Sequence, residues 1–267
     1  MLRSALATGL LWASLALILI YGVLAFYAWQ YADRLLFLPP PPSYAAGPDI
    51  LAIPAPDGVT LAAHWLPYPE ARYTLLYCHG NATDLGQIEP RLQELHDRLG
   101  VAVLAWDYRG YGQSRGLPGE PETLRDARTV AAYATRTLGV PPENLILYGH
   151  SLGGGPAVAI AASQPCAGLV LQSAFTSAFR VKLGVRLFPF DKFDNLAKLP
   201  RVRCPVLVIH GTADTLIPFS HGQQLFAAVR GPKRHLWVQG AGHNDLVETA
   251  GEEYWRALED FLRTLGT

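Results

Sequence analysis

The sequence predicts an α/β protein: a mostly parallel β-sheet with helices on both faces, preceded by one N-terminal transmembrane helix. Three observations predict it. Short, unbroken apolar runs alternate with longer segments of helical periodicity. Gly-rich turns carrying Ser, Asp and His follow several of those runs. Residues 4–32 contain not one charged side chain.

The uncharged segment comes first. Its centre, residues 10–26, is rich in Leu, Ile and Ala, and a helix of about 20 such residues crosses a hydrocarbon layer of about 30 Å. Trp12 lies near one end; Tyr21, Phe26, Tyr27, Trp29 and Tyr31 crowd the other, where amphipathic rings favour the interface. A cleavable signal peptide has a shorter apolar region and a small-x-small cleavage site, so the pattern favours an uncleaved anchor in a lipid bilayer. Arg3 precedes the span, while Asp33 and Arg34 nearly cancel after it. The positive-inside tendency then keeps the N-terminus cytoplasmic and the large domain on the non-cytoplasmic side. Residues 1–34 thus read as anchor and flanks. Residues 35–49, built on Pro39-Pro40-Pro41-Pro42, read as a stiff spacer. Residues 50–267 read as the globular domain, a length that suits one large α/β unit.

Within that domain, residues 50–53 and 59–65 flank Asp57-Gly58, a hairpin signal. Further apolar runs follow at 74–78, 101–106, 145–148, 169–171, 206–209 and 236–238, as expected of strands buried on both faces. Leu85, Ile88, Leu92, Leu95 and Leu99 recur at helical spacing, as do Tyr254, Trp255, Leu258, Phe261, Leu262 and Leu265. In such sheets the ligand sits beyond the carboxyl ends of the strands.

Composition narrows the function. Half the residues are hydrophobic, and 22 basic side chains balance 22 acidic ones, which argues against nucleic-acid binding. Cys78, Cys166 and Cys204 form no C-x-x-C pair, so neither a disulfide framework nor a zinc site is expected, although one disulfide stays open. No cofactor is implied, and oligomeric state is not legible.

The chemistry gathers past the strand ends. Gly149-His150-Ser151-Leu152-Gly153 sits between the strand 145–148 and a small-residue helix beginning at Gly154. A sharp turn there would lift the Ser151 hydroxyl above the sheet at a helix N-terminus, with flanking glycines removing side-chain collisions. A serine hydroxyl needs a base, and the base an orienting carboxylate. Asp214 follows the strand 206–209, and Ile217-Pro218 is read as opening the next helix. His243 follows the strand 236–238; Asp245 reads as the cap of the helix after it. His210, His221 and His235 are the rival bases: His210 precedes the acid loop and packs there, while His235 stands at the wrong edge of the sheet. The oxyanion hole is assigned to the backbone N–H groups of Leu152 and Asn81, with Ala82 the alternative to Asn81. Asp107 and Arg109 read as ordering the loop after the fourth strand through local hydrogen bonds and a salt bridge.

Tyr77-Cys78-His79-Gly80-Asn81-Ala82, Asp107-Tyr108-Arg109-Gly110-Tyr111-Gly112-Gln113-Ser114, His210-Gly211-Thr212-Ala213-Asp214 and Gly240-Ala241-Gly242-His243-Asn244-Asp245, with the serine turn, resemble the α/β-hydrolase superfamily. Leu85-Gly86-Gln87, Ser220-His221-Gly222 and Phe190-Asp191-Lys192-Phe193-Asp194-Asn195 are similar to its branch that contains the eukaryotic protein depalmitoylases. The resemblance implies the α/β-hydrolase fold, the triad Ser151, Asp214 and His243, and cleavage of an acyl ester or thioester. Those depalmitoylases attach through acylated N-terminal cysteines; this chain has no cysteine before Cys78 and carries the apolar span instead. The interval 174–203, with Phe175, Phe179, Phe188, Phe190 and Phe193, reads as a small, partly open apolar lid. A serine peptidase and a non-catalytic binding domain of the same fold remain the alternatives.

Overall fold

The computed structural model describes residues 2–265. Met1, Gly266 and Thr267 lie outside the described residues, as do the side chains of residues 2–5, among them Arg3, on whose charge the expected orientation rests.

Helix α1 (Leu2–Leu36) opens the chain and stops just before the four prolines, whose rings forbid its continuation. Eight strands follow: β1 (Ile50–Pro54), β2 (Thr60–Leu66), β3 (Thr74–Cys78), β4 (Ala102–Trp106), β5 (Leu145–His150), β6 (Gly168–Gln172), β7 (Val206–Gly211) and β8 (Lys233–Val238). They form one sheet in the order β1-β2-β4-β3-β5-β6-β7-β8. β1 and β2 pair antiparallel, as does β2 with β4; every later pair is parallel. The helices between and after them are α2 (Leu85–Leu99), α3 (Glu120–Arg136), α4 (Gly154–Ala161), α5 (Ala178–Leu183), α6 (Asn195–Lys198), α7 (Ser220–Ala228), α8 (Leu246–Ala250) and α9 (Glu252–Thr264).

Period-two alternation sends each strand's side chains to two cores. Leu76 and Cys78 of β3 join α3, α4 and α7 on one face, while Leu75 and Tyr77 join α2, α8 and α9 on the other. Asp84 caps α2 by accepting from the Gln87 N–H at 3.1 Å, and Gly100 ends it at φ 60°.

Three sequence expectations shift. β5 runs on to His150, two residues past the apolar run. The helix expected at Ile217-Pro218 begins instead at Ser220, because the Asp214 carboxylate accepts from the N–H groups of Leu216 and Ile217 and holds them in a turn. The proline segment does not stand off as a free spacer. Phe37 is buried against Tyr108, Tyr111 and Phe193, the Ser43 N–H donates to Asp84, and the Tyr44 hydroxyl donates to Asp107 at 2.5 Å. Residues 37–44 are therefore strapped across the loops at the carboxyl ends of β3 and β4.

Candidate active site

Ser151 stands at the junction of β5 and α4 with φ 52°, a left-handed conformation costly for a residue with a Cβ. The turn closes only on glycine. A Cβ at Gly149 would lie 2.6 Å from the Gly153 carbonyl oxygen, and one at Gly153 would run into the Cys78 carbonyl. The turn is nearly buried, with Ser151 itself only 8% exposed.

Two loops, from the ends of β7 and β8, line up behind the serine. The Ser151 hydroxyl donates to His243 Nε2 at 3.1 Å, and His243 Nδ1–H donates to Asp214 Oδ2 at 2.7 Å. Asp214 is anchored in turn. Its Oδ1 accepts from the Leu216 and Ile217 N–H groups at 2.9 and 2.8 Å, and His210 Nε2 lies 3.4 Å from Oδ2. Burial works to raise the Asp214 pKa, but the hydrogen bonds from His210, His243 and the Ile217 N–H outweigh it and hold the carboxyl below its ordinary value. A fixed carboxylate of this kind holds the imidazole tautomer that leaves Nε2 free to accept the serine proton. Asp245 takes the N-cap position of α8, as expected, but its side chain makes no cap bond there. Its Oδ1 accepts from the Gly242 N–H at 2.7 Å and so shapes the His243 loop.

The rival histidines are occupied elsewhere. His210 is fully buried and donates through Nε2 to the Ile217 carbonyl at 2.9 Å. His221 Nδ1 meets Thr176 Oγ1 at 2.9 Å beneath the lid segment. His235 is exposed on β8, stacked on Trp237. His150, beside His243 with ring centres 5.8 Å apart, has its pKa pushed down to about 3 by burial and by the neighbouring His243.

Leu152 follows the serine into the helical turn, and Asn81 lies in the loop after β3. The Ala82 N–H is taken by Asn81 Oδ1 at 2.9 Å, which disfavours Ala82 as an oxyanion donor. The Asn81 side chain does more than shape a local turn. Its Oδ1 also accepts from the Leu38 N–H at 3.0 Å and the Tyr111 hydroxyl at 2.6 Å, while its amide donates to the Leu36 carbonyl at 2.5 Å. Tyr108 fixes the same loop by donating to the His79 carbonyl at 2.6 Å. These clamps were not visible in the sequence, because the partners come from the end of α1 and from the loop after β4.

Asp107 and Arg109 do order their loop, though through distant rather than local partners. Asp107 accepts from the Leu85 N–H and Tyr44, and Arg109 forks onto Asp126 of α3 and Asp57 of the hairpin.

A nucleophile, a base and an orienting carboxylate in line, beside a helix N-terminus, can carry out acyl transfer. The comparisons with known proteins agree with that chemistry. The family model described as serine aminopeptidase, S33 matches residues 69–196. The alpha/beta hydrolase domain-containing protein 17B of Homo sapiens is 42% identical over 196 residues, covering 73% of this chain and 67% of that protein. Its Xenopus laevis counterpart is 43% identical over 197 residues, with the same coverage. Among solved structures, an esterase of Pyrococcus furiosus superposes with a TM-score of 0.71 at 19% identity, over 85% of this chain and 99% of that one. A monoacylglycerol lipase of Paleococcus ferrophilus gives a TM-score of 0.61 at 25% identity, over 76% of this chain and 98% of that one.

Fold and relatives together make the protein a serine hydrolase of the α/β-hydrolase fold. Within that class, the chain belongs to the family of the alpha/beta hydrolase domain-containing 17 proteins.

Proposed function

We propose that the protein is a membrane-anchored serine hydrolase that cleaves acyl esters or thioesters through an acyl-Ser151 intermediate. The observation that carries this is the unbroken hydrogen-bond line from Ser151 through His243 to Asp214, with the serine held at φ 52°. Ser151 Oγ attacks the acyl carbon as its proton passes to His243 Nε2, and Asp214 stabilises the imidazolium so formed. The N–H groups of Leu152 and Asn81 receive the oxyanion. His243 returns the proton to the departing alcohol or thiol, and water repeats the sequence to release the acid.

The likeness to an esterase and a monoacylglycerol lipase supports an ester. The resemblance to the depalmitoylase branch supports a thioester beside it. One observation favours a second reading: the matching family model is described as an aminopeptidase. The same triad would cleave a peptide bond, so N-terminal peptides are the competing substrate class.

The anchor reading rests on α1. Residues Leu6–Leu36 form an apolar helical stretch of 31 residues, with large side chains such as Leu17, Ile18 and Leu19 about two-thirds exposed. Such a surface is stable in lipid and not in water. The N-terminus would then be cytoplasmic and the hydrolase domain on the far side of the bilayer.

Labelling with a fluorophosphonate tests the nucleophile. The wild type is expected to react and Ser151→Ala to remain unlabelled with an unchanged melting profile; an unlabelled, folded wild type would falsify the assignment. Asp214→Asn is expected to slow ester turnover by about 10³–10⁴-fold while the protein stays folded. Turnover of peptides above that of acyl esters would transfer the assignment to the peptidase reading. Protease protection in sealed vesicles checks the orientation.

A further inference from the structure

The lid segment does not only cover the sheet; it runs along α1. At its far end Lys192 pairs with Asp33 at 2.9 Å, and Asp33 also accepts from the Glu120 N–H. At its near end the Tyr21 hydroxyl donates to the Leu187 carbonyl at 3.1 Å, and the Tyr21 ring meets Phe188 at 5.9 Å between centres. Between these contacts α1 presents small residues: Ala25 and Ala28 are half-buried and Ala32 is buried, while Phe26, Tyr27, Trp29 and Gln30 are exposed.

That geometry sets a depth. Tyr21 precedes Asp33 by twelve residues, or about 18 Å along a helix axis. The polar headgroup zone of one leaflet is only about 5–8 Å thick. With the Asp33–Lys192 pair at the outer edge of that zone and the helix near the bilayer normal, Tyr21 and the lid tip beside it would lie roughly 10 Å inside the hydrocarbon, deeper than the interface position the aromatic cluster by itself suggests for Tyr21. The composition of the tip fits that location. Leu183, Val185 and Leu187 are 44%, 64% and 49% exposed, three apolar side chains open to the surroundings within five residues. Backbone carbonyls in hydrocarbon need donors. Tyr21 supplies one to Leu187, and Arg186 supplies the carbonyls of Phe188 and Pro189. Arg186 also lies 4.0 Å from Asp194, so its long stem can cross apolar surroundings to a paired, polar end. At the base of the tip Phe188 stacks on Phe190, and Phe179 meets both rings edge-on.

The same helix end reaches the candidate site, since the Leu36 carbonyl accepts from Asn81. We propose that the lid tip, residues 183–188, is immersed in the leaflet that α1 crosses, so that Ser151 draws its acyl groups from chains held in that leaflet. The proposal rests on the readings of α1 as a membrane span and of Ser151 as the nucleophile.

Two measurements on the full-length protein in phosphatidylcholine vesicles test it. The first uses a phosphatidylcholine carrying a photoreactive diazirine on its acyl chain. Cross-links on residues 183–188 as well as on α1 are expected; cross-links confined to α1 overturn the proposal. The second compares the wild type with the double variant Val185→Asp/Leu187→Asp on two esters. Hydrolysis of a long-chain acyl ester dissolved in the vesicles is expected to fall at least tenfold. Hydrolysis of a water-soluble acetyl ester is expected to stay within twofold. The conservative pair Val185→Leu/Leu187→Ile should keep both activities. Wild-type rates on the vesicle ester for the Asp variant overturn the proposal. Its parent readings fail separately: release of the wild type by alkaline carbonate defeats the span, and no hydrolysis of the acetyl ester by the wild type defeats the nucleophile.

Discussion

His150 sits directly before the serine and contributes its ring to the wall beside His243. Its pKa falls from an ordinary 6.5 to about 3, first through burial and then through His243. In the unfolded chain the same side chain titrates near 6.5. Between about pH 6.5 and 3 the unfolded state therefore binds a proton that the folded state refuses, and stability drops as the pH falls through that window. The expected slope from this residue is about 1.4 kcal/mol per pH unit. His150→Gln should flatten the acid limb of a melting-temperature profile between pH 7 and 4.5; an unchanged limb would remove His150 as its source. Asp214 adds to the same trend at lower pH, since a carboxyl held below its ordinary value contributes stability above that value and loses it on protonation. The nucleophile turn is legible in five consecutive letters because its strain and its glycines are local. The Asn81 clamp is not, because its partners Leu36 and Leu38 stand 45 and 43 residues away.

The hairpin, the loop after β4 and α3 meet at one guanidinium. Arg109 is 6% exposed, and its Nε and one amino group hold the fully buried Asp126 of α3. The other face of the fork holds Asp57 in the β1–β2 turn. Removing one partner of a buried pair leaves a desolvated charge, which costs more than the pair contributed. Asp126→Ala is expected to destabilise the fold by about 3 kcal/mol, read as a shifted urea midpoint with an unchanged slope. A loss below about 0.5 kcal/mol would mean that the guanidinium finds water or another acceptor instead. At this scale the strands were readable from their apolar runs within one or two residues, except β8, which begins at Lys233, three residues before its apolar run. The turn at 215–219 was misread as the start of a helix, because the Asp214 carboxylate captures its amides, a local hydrogen-bonded turn that the early-helix preference of Pro218 does not reveal.

At the scale of the molecule, α1 and the proline segment are structural members of the hydrolase domain. Phe37 fills the core between Tyr108, Tyr111 and Phe193, a burial worth about 1.5–3 kcal/mol. The chain that follows it ties Asp84 and Asp107 through Ser43 and Tyr44. A chain starting at residue 32 keeps these contacts; one starting at residue 45 loses them all. The longer form is expected to hydrolyse a soluble ester at a rate near that of the full chain. The shorter form should melt about 4–10 °C lower and turn over more slowly, because Asn81 has lost two of its partners. Equal melting temperatures in a calorimeter would show that the segment is a passive tether.

Apolar periodicity, the glycines around Ser151 and the order of Ser151, Asp214 and His243 are properties of neighbouring residues, so the linear sequence determined the α/β class, the apolar helix and the candidate triad. The tertiary structure decided what depends on distant partners. It set the line from Ser151 through His243 to Asp214, whose members stand 92 and 29 residues apart, the clamp that binds Asn81 to the end of α1, and the course of the lid beside Tyr21. The physical reason is directional. Burial and turn strain are written residue by residue, whereas a hydrogen bond between chain-distant groups exists only once the sheet has fixed both ends within about 3 Å of each other.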